Sequence, residues 1–297
     1  MGIEGQPLTL LVNPSAGGGK TGGLLPRVES ELDQRRIAFR VEQTRSIDHA
    51  VAEALAAGDA QEVPVVMSGD GLIGAVGGAL AGTGIPLGII PAGRGNDLAR
   101  VLGIPADPAG AADVLAAGNT REIDVGDANG RRFLGIASAG FDSDANRIAN
   151  ETRRVKGSLV YALAALRALA AWKPARFTIQ TGEERLRFTG YTVAAANSRA
   201  YGGGMFMAPD AQLDDGELDV IMVGEVGKLR FLGNLPKVFK GTHVDEDEVR
   251  VFRAPSVKLS ASRPFSVYAD GEHITDLPAS FRLLPRALQV VAPPHPA

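Results

Sequence analysis

One pattern recurs three times in the first hundred residues and constrains the fold more than any other feature. Each time, a short apolar segment is followed by a glycine-rich turn and then by a segment with helical periodicity. The apolar segments are Leu8–Val12, Val63–Met67 and Pro86–Ile90. Strands that alternate with helices predict an α/β fold around a parallel sheet, where such turns emerge together at the carboxyl ends of the strands. The sequence therefore predicts a ligand crevice lined by three glycine-rich turns.

The pattern changes at about residue 121. Short segments of alternating polarity follow, such as Arg185–Ala195 and Leu218–Val223, and they predict a mainly antiparallel β structure. One long apolar helix is predicted at Ser158–Trp172. A basic stretch just before it, which could touch anionic headgroups or simply be solvated, contains Arg147, Arg153, Arg154 and Lys156. The chain has 297 residues, which fits two domains of ordinary size.

The composition of the chain limits the kinds of molecule that we expect it to bind. The net charge is −3, so no global positive field attracts nucleic acid, and we expect no nucleic-acid partner. The chain has no cysteine, which removes disulfides and thiolate metal sites. No apolar run approaches the ~18 residues that a membrane span needs. We therefore expect a cytoplasmic protein whose contact with a membrane is peripheral.

The first glycine-rich turn contains Gly17-Gly18-Gly19-Lys20-Thr21 and is close to a P-loop. The P-loop pattern requires a further glycine where this chain has Pro14, so that assignment fails on spacing. Backbone N–H groups and the side chain of Lys20 could still approach phosphates. A plain solvated turn is the alternative.

The second turn, Gly69 to Gly74, satisfies G-x-G-x-x-G, but it follows a later strand than the first. No acidic residue near position 90 is available to hold a ribose, so hydride transfer is a weak alternative. The carboxylate of Asp70 would repel a pyrophosphate unless a divalent cation lay between them, which indicates a magnesium nucleotide. Capping of the following helix is the structural alternative for Asp70.

Two acidic turns lie in the second part of the chain. In Tyr268-Ala269-Asp270-Gly271-Glu272-His273, two carboxylates could supply a general base, although a hairpin turn is the simpler interpretation. In Gln212-Leu213-Asp214-Asp215-Gly216-Glu217, oxygen ligands are dense enough for a hard cation, and a solvated turn is equally compatible.

Four segments together resemble a known family. They are Leu-Leu-Val-Asn-Pro-Ser-Ala-Gly, Ser-Gly-Asp-Gly, Pro-Ala-Gly-x-Gly-Asn-Asp-Leu-Ala-Arg and the late Asp-Gly-Glu. In this order they resemble the bacterial diacylglycerol kinases, which include the YegS-like lipid kinases and are related to sphingosine kinases. The resemblance implies an α/β nucleotide-binding domain of the NAD kinase and diacylglycerol kinase type at 1–122, a β-sandwich domain at 123–280, and a segment at 281–297 that returns to the first domain.

The resemblance also implies an activity and a site. The activity is transfer of phosphate from ATP, with Mg2+, to a membrane lipid such as diacylglycerol, by a chain that can form a homodimer. Glu272 matches the proton acceptor and Asp70 the signature aspartate, while the magnesium turn matches Gln212, Asp215 and Glu217. The ATP-binding stretches fall on Asn13, Pro14, Ser15, Ala16, Gly17, Thr44, Ser68, Gly69, Asp70, Gly71, Leu72, Ile73 and Gly74.

This chain departs from the family pattern at five positions in the nucleotide turns, the first of which is Ser68 in place of a glycine. Leu72, Gly74 and Ala75 replace the threonine, asparagine and glutamate of the usual signature, and Arg94 replaces a threonine. Arg94 could bind a phosphate bidentately or block part of the nucleotide pocket. We therefore predict a lipid kinase with altered nucleotide contacts. The alternatives are a soluble-substrate kinase of the NAD kinase type and a nucleotide- or lipid-binding protein that has lost catalysis.

Overall fold

The computed structural model describes residues 2–141, 143, 169 and 172–294. The basic stretch Arg147, Arg153, Arg154 and Lys156 and most of the helix predicted at Ser158–Trp172 lie outside the described residues, as does the side chain of Lys20.

The first part of the chain forms a parallel sheet covered by helices. The strands follow the order β2-β1-β3-β4 and all pair in parallel. Val12 lies opposite Gln43 and Met67, and Ser68 lies opposite Pro91, so the carboxyl ends of the strands are aligned. The elements are β1 (Leu8–Val12), α1 (Lys20–Gln34), β2 (Phe39–Gln43), α2 (Ile47–Asp59), β3 (Val63–Ser68), α3 (Asp70–Leu80), β4 (Gly88–Pro91), α4 (Asp97–Leu102) and α5 (Pro108–Ala117).

Local signals explain these elements. Every residue of β1 and β3 is buried, as expected for continuous apolar strands covered on both faces. Ser46 caps α2 by accepting the N–H of His49, and Asp107 caps α5 by accepting the N–H of Gly110. The three glycine-rich turns therefore lie side by side at one edge of the sheet.

The second part is antiparallel throughout the described residues. Its strands follow the order β14-β13-β7-β9-β8-β12-β15-β5-β6, and β10 joins β9 to β11. The elements are β5 (Thr120–Ala128), β6 (Arg131–Phe133), β7 (Ile136–Gly140), β8 (Ala175–Thr181), β9 (Glu184–Ala196), β10 (Leu218–Gly224), α6 (Lys228–Lys240), β11 (Val249–Ala254), β12 (Ser256–Ala261), β13 (Ser266–Ala269), β14 (Glu272–Asp276) and β15 (Ala279–Val291).

Alternate residues of these strands enclose one core. Phe177, Tyr191, Val220 and Phe281 belong to it although they come from four different strands. The predicted combination of an α/β domain with an antiparallel β domain is confirmed. The alternating polarity of Arg132–Ala137 predicts one strand, and that prediction is wrong. The chain forms parts of β6 and β7 there, because the N–H groups of Leu134 and Gly135 between them donate to the carboxylate of Asp270.

The strand β15 connects the two parts. It pairs with β12 near its start and with β5 along its length, and near its end the N–H of Val291 donates to the carbonyl of Leu87 in the first part. β5 begins at Thr120, so it spans the predicted boundary between 122 and 123, and that boundary stays a prediction. Within the described ranges, no helix is long and apolar enough to cross a bilayer.

Candidate active site

Three aspartates from distant parts of the chain face one cavity between the two parts. Asp70 lies in the first turn of α3, Asp97 in the first turn of α4, and Asp270 in the turn between β13 and β14. The carboxylate of Asp70 accepts the N–H of Asn96 at 2.8 Å and the N–H of Asp97 at 2.7 Å. Asp70 therefore ties the second glycine-rich turn to the third, which follows β4 and contains Gly93, Arg94 and Gly95.

Asp97 extends this network to the second part of the chain. Its buried carboxylate accepts the N–H groups of Gly203 and Gly204, each at 2.8 Å, and forms an ion pair with Arg100 at 2.9 Å. Charge-assisted bonds of this kind are the stronger class of hydrogen bond. Asp97 thus fixes the loop around Gly203 against the first domain.

The turn of Asp270 is a tight hairpin, as its Asp-Gly sequence favours. Asp270 and Gly271 have φ values of 52° and 86°, and β13 and β14 pair antiparallel on either side. The segment is therefore a hairpin, and the general-base role of its carboxylates stays a prediction. Its geometry points the side chain of Asp270 back onto the N–H groups of Leu134 at 2.8 Å and Gly135 at 2.9 Å.

These carboxylates make one end of the cavity strongly anionic. Burial raises the pKa of Asp70, and the negative charge of Asp97 raises it further, against the backbone donors. Burial, followed by the charge of Asp70, raises the pKa of Asp270 from 3.8 to about 6, although its two N–H donors oppose the shift. Such a cluster favours any group that brings positive charge.

Glu272 lies at the edge of this cluster. It is exposed, and its Oε1 lies 3.4 Å from the position that a Cβ on Gly71 would take, next to the first turn of α3. A Cβ on Gly74 would lie 2.8 Å from Oδ2 of Asp270. The absence of a side chain at Gly74, one of the departures from the family pattern, therefore provides the space that Asp270 occupies.

The cavity is polar at one end and apolar at the other. Its volume is about 730 Å3. The polar end contains the three aspartates and Arg94. The remainder is lined largely by apolar side chains, among them Ile136, Phe141, Met205, Met207, Phe231 and Val238. A ligand that fits has a polar head and an apolar body.

The first glycine-rich turn presents backbone amides beside this polar end. Gly17, Gly18 and Gly19 have φ values of 61°, 75° and 91°, a left-handed run that other residues rarely adopt. Asn13 fixes the start of the turn, because its Oδ1 accepts the N–H of Ser15 at 3.0 Å, and a short 3-10 turn covers Ala16–Gly18.

Arg94 reaches this turn from the third one. Its guanidinium nitrogen lies 3.6 Å from the position of a Cβ on Gly18. The side chain is exposed, and within the part of the chain that the structure describes it has no hydrogen bond or ion pair. An unneutralised guanidinium beside backbone amides is suited to binding an anion.

The side chains of the other residues predicted to bind the nucleotide are less accessible to a ligand. Thr44 donates its N–H and its hydroxyl to the carbonyl of Val12, which fixes the end of β2. Ser68 is buried at the end of β3, and the side chains of Leu72 and Ile73 pack in the core, so mainly their backbone is available. Gly69 caps α3 close to Gly93.

The predicted magnesium turn lies apart from this cavity. Buried Asp124 organises it: its carboxylate accepts the N–H of Gly216, and its own N–H donates to the carbonyl of Leu213. Asp215 accepts the N–H of Glu217 and lies 4.0 Å from the guanidinium of Arg253, which already supplies a positive charge there. Among the described residues, no three His, Cys, Asp or Glu side chains form a metal-binding group, and Gln212, Asp215 and Glu217 stay a prediction.

Two family models match nearly the whole chain. The diacylglycerol kinase catalytic domain matches residues 7–128, and the YegS C-terminal NAD kinase beta sandwich-like domain matches residues 135–292. A diacylglycerol kinase of Mycobacterium tuberculosis (strain ATCC 25618 / H37Rv) is 38% identical, with 97% of this chain and 96% of that protein covered. A Pseudomonas aeruginosa (strain PAO1) protein named probable lipid kinase YegS-like is 34% identical, with 87% and 85% covered.

Solved structures agree with this match. A chain from Bacillus anthracis str. Sterne has a TM-score of 0.83 at 26% identity and covers 97% of this chain and 96% of its own. A second chain from that strain, described as a diacylglycerol kinase, has a TM-score of 0.76 at 22% identity, with 97% of both chains covered.

An α/β catalytic domain joined to a β-sandwich domain defines the class as a two-domain lipid kinase. Within that class, the chain belongs to the diacylglycerol kinase family.

Proposed function

We propose that this protein is an ATP-dependent kinase that phosphorylates the hydroxyl of a membrane lipid, most simply diacylglycerol. The observation that carries the proposal is the cavity itself, where an anionic end beside glycine-rich turns continues into an apolar space. A triphosphate suits the first region and acyl chains suit the second. The enzyme would act from the cytoplasm at the membrane surface.

The phosphates of ATP would lie on the amides of Gly17–Gly19 and at the start of α3, where backbone N–H groups favour anions. Arg94 would pair with a phosphate oxygen. Mg2+ suits the all-oxygen donors of Asp70 and Asp97, and it would bring the positive charge that these carboxylates and the phosphates require. A second magnesium at Gln212, Asp215 and Glu217 belongs to the same proposal.

Glu272 is the proposed general base. It would take the proton from the lipid hydroxyl as that oxygen attacks the terminal phosphorus, and ADP would leave with the electrons of the broken bond. Its place beside Gly71 puts it next to the proposed phosphate site. Asp270 would hold the hairpin that carries Glu272, through its bonds to Leu134 and Gly135.

We expect Glu272→Gln to lower lipid phosphorylation by about 10²–10⁴-fold, the usual contribution of a general base, because the amide cannot accept the proton. ATP affinity should change by no more than about twofold, since the charge removed is not a proposed ATP ligand. Transfer of labelled phosphate to diacylglycerol, with ATP binding by calorimetry, measures both. Glu183→Gln, in an exposed turn, is the control; unchanged turnover in Glu272→Gln would refute the role.

The same assay separates the alternatives. The acceptors are diacylglycerol vesicles and NAD in parallel reactions. Transfer to NAD alone would favour a soluble-substrate kinase, and ATP binding without transfer to any lipid would favour a protein that has lost catalysis. The apolar lining of the cavity supports the lipid.

Arg94→Ala should raise the KM for ATP by about tenfold or more, because a charge-assisted bond to phosphate is lost. Arg94→Lys should give an intermediate KM, since it keeps the charge but not the planar fork. Steady-state kinetics at saturating lipid measure the change, with Arg27→Ala, on the exposed surface of α1, as control. A lower KM in Arg94→Ala would mean that Arg94 obstructs the nucleotide.

A further inference from the structure

The helix α6 has two functional faces. Its inner face contributes Phe231, Leu235 and Val238 to the wall of the cavity. Phe231 stacks on Tyr191 with ring centroids 4.3 Å apart, yet no residue of the helix is fully buried. The helix therefore packs its partly buried side chains Phe231 and Leu232 on the antiparallel core and covers the apolar end of the cavity.

Its outer surface exposes large apolar side chains. Leu229 is 85% exposed and Phe239 53%, and Leu235, which also lines the cavity, is 37% exposed. A helix on an ordinary soluble surface would present polar residues at such positions. The sequence of α6 also contains four cationic residues and no acidic one: Lys228, Arg230, Lys237 and Lys240.

Two of the cations attach the helix to the rest of the domain. Arg230 pairs with Glu248 at 2.8 Å, and Lys237 pairs with Glu246, so these two attach the helix to the turn that follows it. Lys228 and Lys240 are exposed at the two ends of the helix, next to Leu229 and Phe239. Apolar anchors flanked by lysines are the composition of a helix that lies in a membrane interface.

We propose that α6 docks this enzyme on a lipid bilayer, with Leu229 and Phe239 inserted between headgroups and Lys228 and Lys240 directed at lipid phosphates. The proposal rests on the proposed function, since it places the wall of the substrate cavity against the membrane that holds the substrate. Three apolar side chains form a patch well below the roughly 800 Å2 per partner of a stable protein interface, so a second copy of the chain fits less well.

Flotation with vesicles of phosphatidylcholine and about one third phosphatidylglycerol tests the proposal without ATP or diacylglycerol. The double variant Leu229→Ser/Phe239→Ser should lower the partition coefficient by about tenfold or more, since partition scales with inserted apolar area. The matched control is Ile47→Ser/Val251→Ser, which removes side chains that are 45% and 43% exposed elsewhere; it should bind like the parent chain.

A second measurement separates this proposal from the proposed function. With a short-chain, water-soluble diacylglycerol as acceptor, the α6 double variant should keep the turnover of the parent chain, which also shows that it is folded. Absence of transfer in every variant would contradict the proposed function and leave the flotation result standing. Equal vesicle binding by parent and α6 variant, or no binding by the parent, would overturn the docking role. A loss of dimer in the α6 variant with unchanged vesicle binding would assign the patch to a second copy.

Discussion

Asp270 has both a backbone role and a side-chain role in the candidate site. Its left-handed backbone, with φ of 52°, closes the hairpin, and its carboxylate accepts two N–H groups in a region that already holds Asp70. Water is largely excluded, so the charged form is disfavoured and its pKa rises to about 6. The residue is therefore held in place by the same carboxylate charge that burial penalises.

This conflict predicts a pH dependence of stability. A raised pKa means that the folded chain binds the proton more tightly than the unfolded chain, so this contribution is complete below about pH 4 and lost as pH rises through about 6. Between about pH 5 and about pH 7.5 the parent chain should lose on the order of 1 kcal/mol of unfolding free energy through Asp270. Asp270→Asn should lack that loss.

Urea unfolding of both chains at the two pH values measures the difference. Asp276→Asn is a suitable control, because hydrogen bonding to His273 lowers the pKa of Asp276. The stability that Asp276 contributes is therefore lost as the pH falls, whereas the contribution of Asp270 is lost as the pH rises. Identical pH dependence in the parent chain and Asp270→Asn would show that Asp270 stays charged in the fold.

The sequence predicts which side chains carry the chemistry of the site better than it predicts which groups donate hydrogen bonds to those side chains. Asp70 and the Asp270–Glu272 turn were identified as candidates because carboxylates in glycine-rich turns are chemically conspicuous. The donors that hold Asp70 are backbone N–H groups of Asn96 and Asp97, and those that hold Asp270 belong to Leu134 and Gly135. Every residue except proline possesses such a group. Only the tertiary packing of segments distant in sequence selects those amides, so no local pattern indicates them.

Among the elements, the start of α1 contains glycines in two different conformations, one left-handed and one helical. Gly19 precedes the helix with φ of 91°, a conformation that disfavours a side chain, whereas exposed Gly22 lies within the helix and a Cβ there would meet nothing within 4 Å. Gly22→Ala should raise the free energy of unfolding by about 0.5–1 kcal/mol, because alanine favours the helix.

Gly19→Ala is the paired test and should lower the free energy of unfolding by about 1–2 kcal/mol, through the left-handed backbone. Urea titrations of the two variants measure both changes. A stabilising Gly19→Ala would mean that the turn does not require the conformation proposed to present its amides to phosphate.

Elements were predictable where burial imposes a period. β1 has the predicted bounds of Leu8–Val12, and β3 extends the predicted Val63–Met67 by one residue, because both strands are wholly buried. The helix α6 was not predicted. Its apolar residues Phe231, Leu235 and Val238 do recur at helical spacing, but Pro236 lies inside the helix, and a proline normally marks a helix end.

At the scale of the whole molecule, β15 belongs to two cores at once. Phe281 and Leu283 near its start pack in the core of the antiparallel domain, while Leu288 and Val290 pack in a core shared with α3 and β4. A strand that is continuous through both cores couples their unfolding, because it cannot leave one without disturbing the other. We therefore expect the two domains to unfold together.

Trp172 is the single tryptophan and lies in the antiparallel core, so its fluorescence reports that domain alone, whereas far-UV circular dichroism reports both. In urea the two signals should share one midpoint. Val290 lies near the end of β15, in the core shared with α3 and β4, whereas the start of the strand packs in the core that holds Trp172. Val290→Ala should lower the free energy of unfolding by about 2 kcal/mol, because it leaves a cavity in the shared core. Because of the coupling, the tryptophan midpoint should fall with it. A tryptophan transition unmoved by Val290→Ala would show that the domains unfold independently, despite the strand they share.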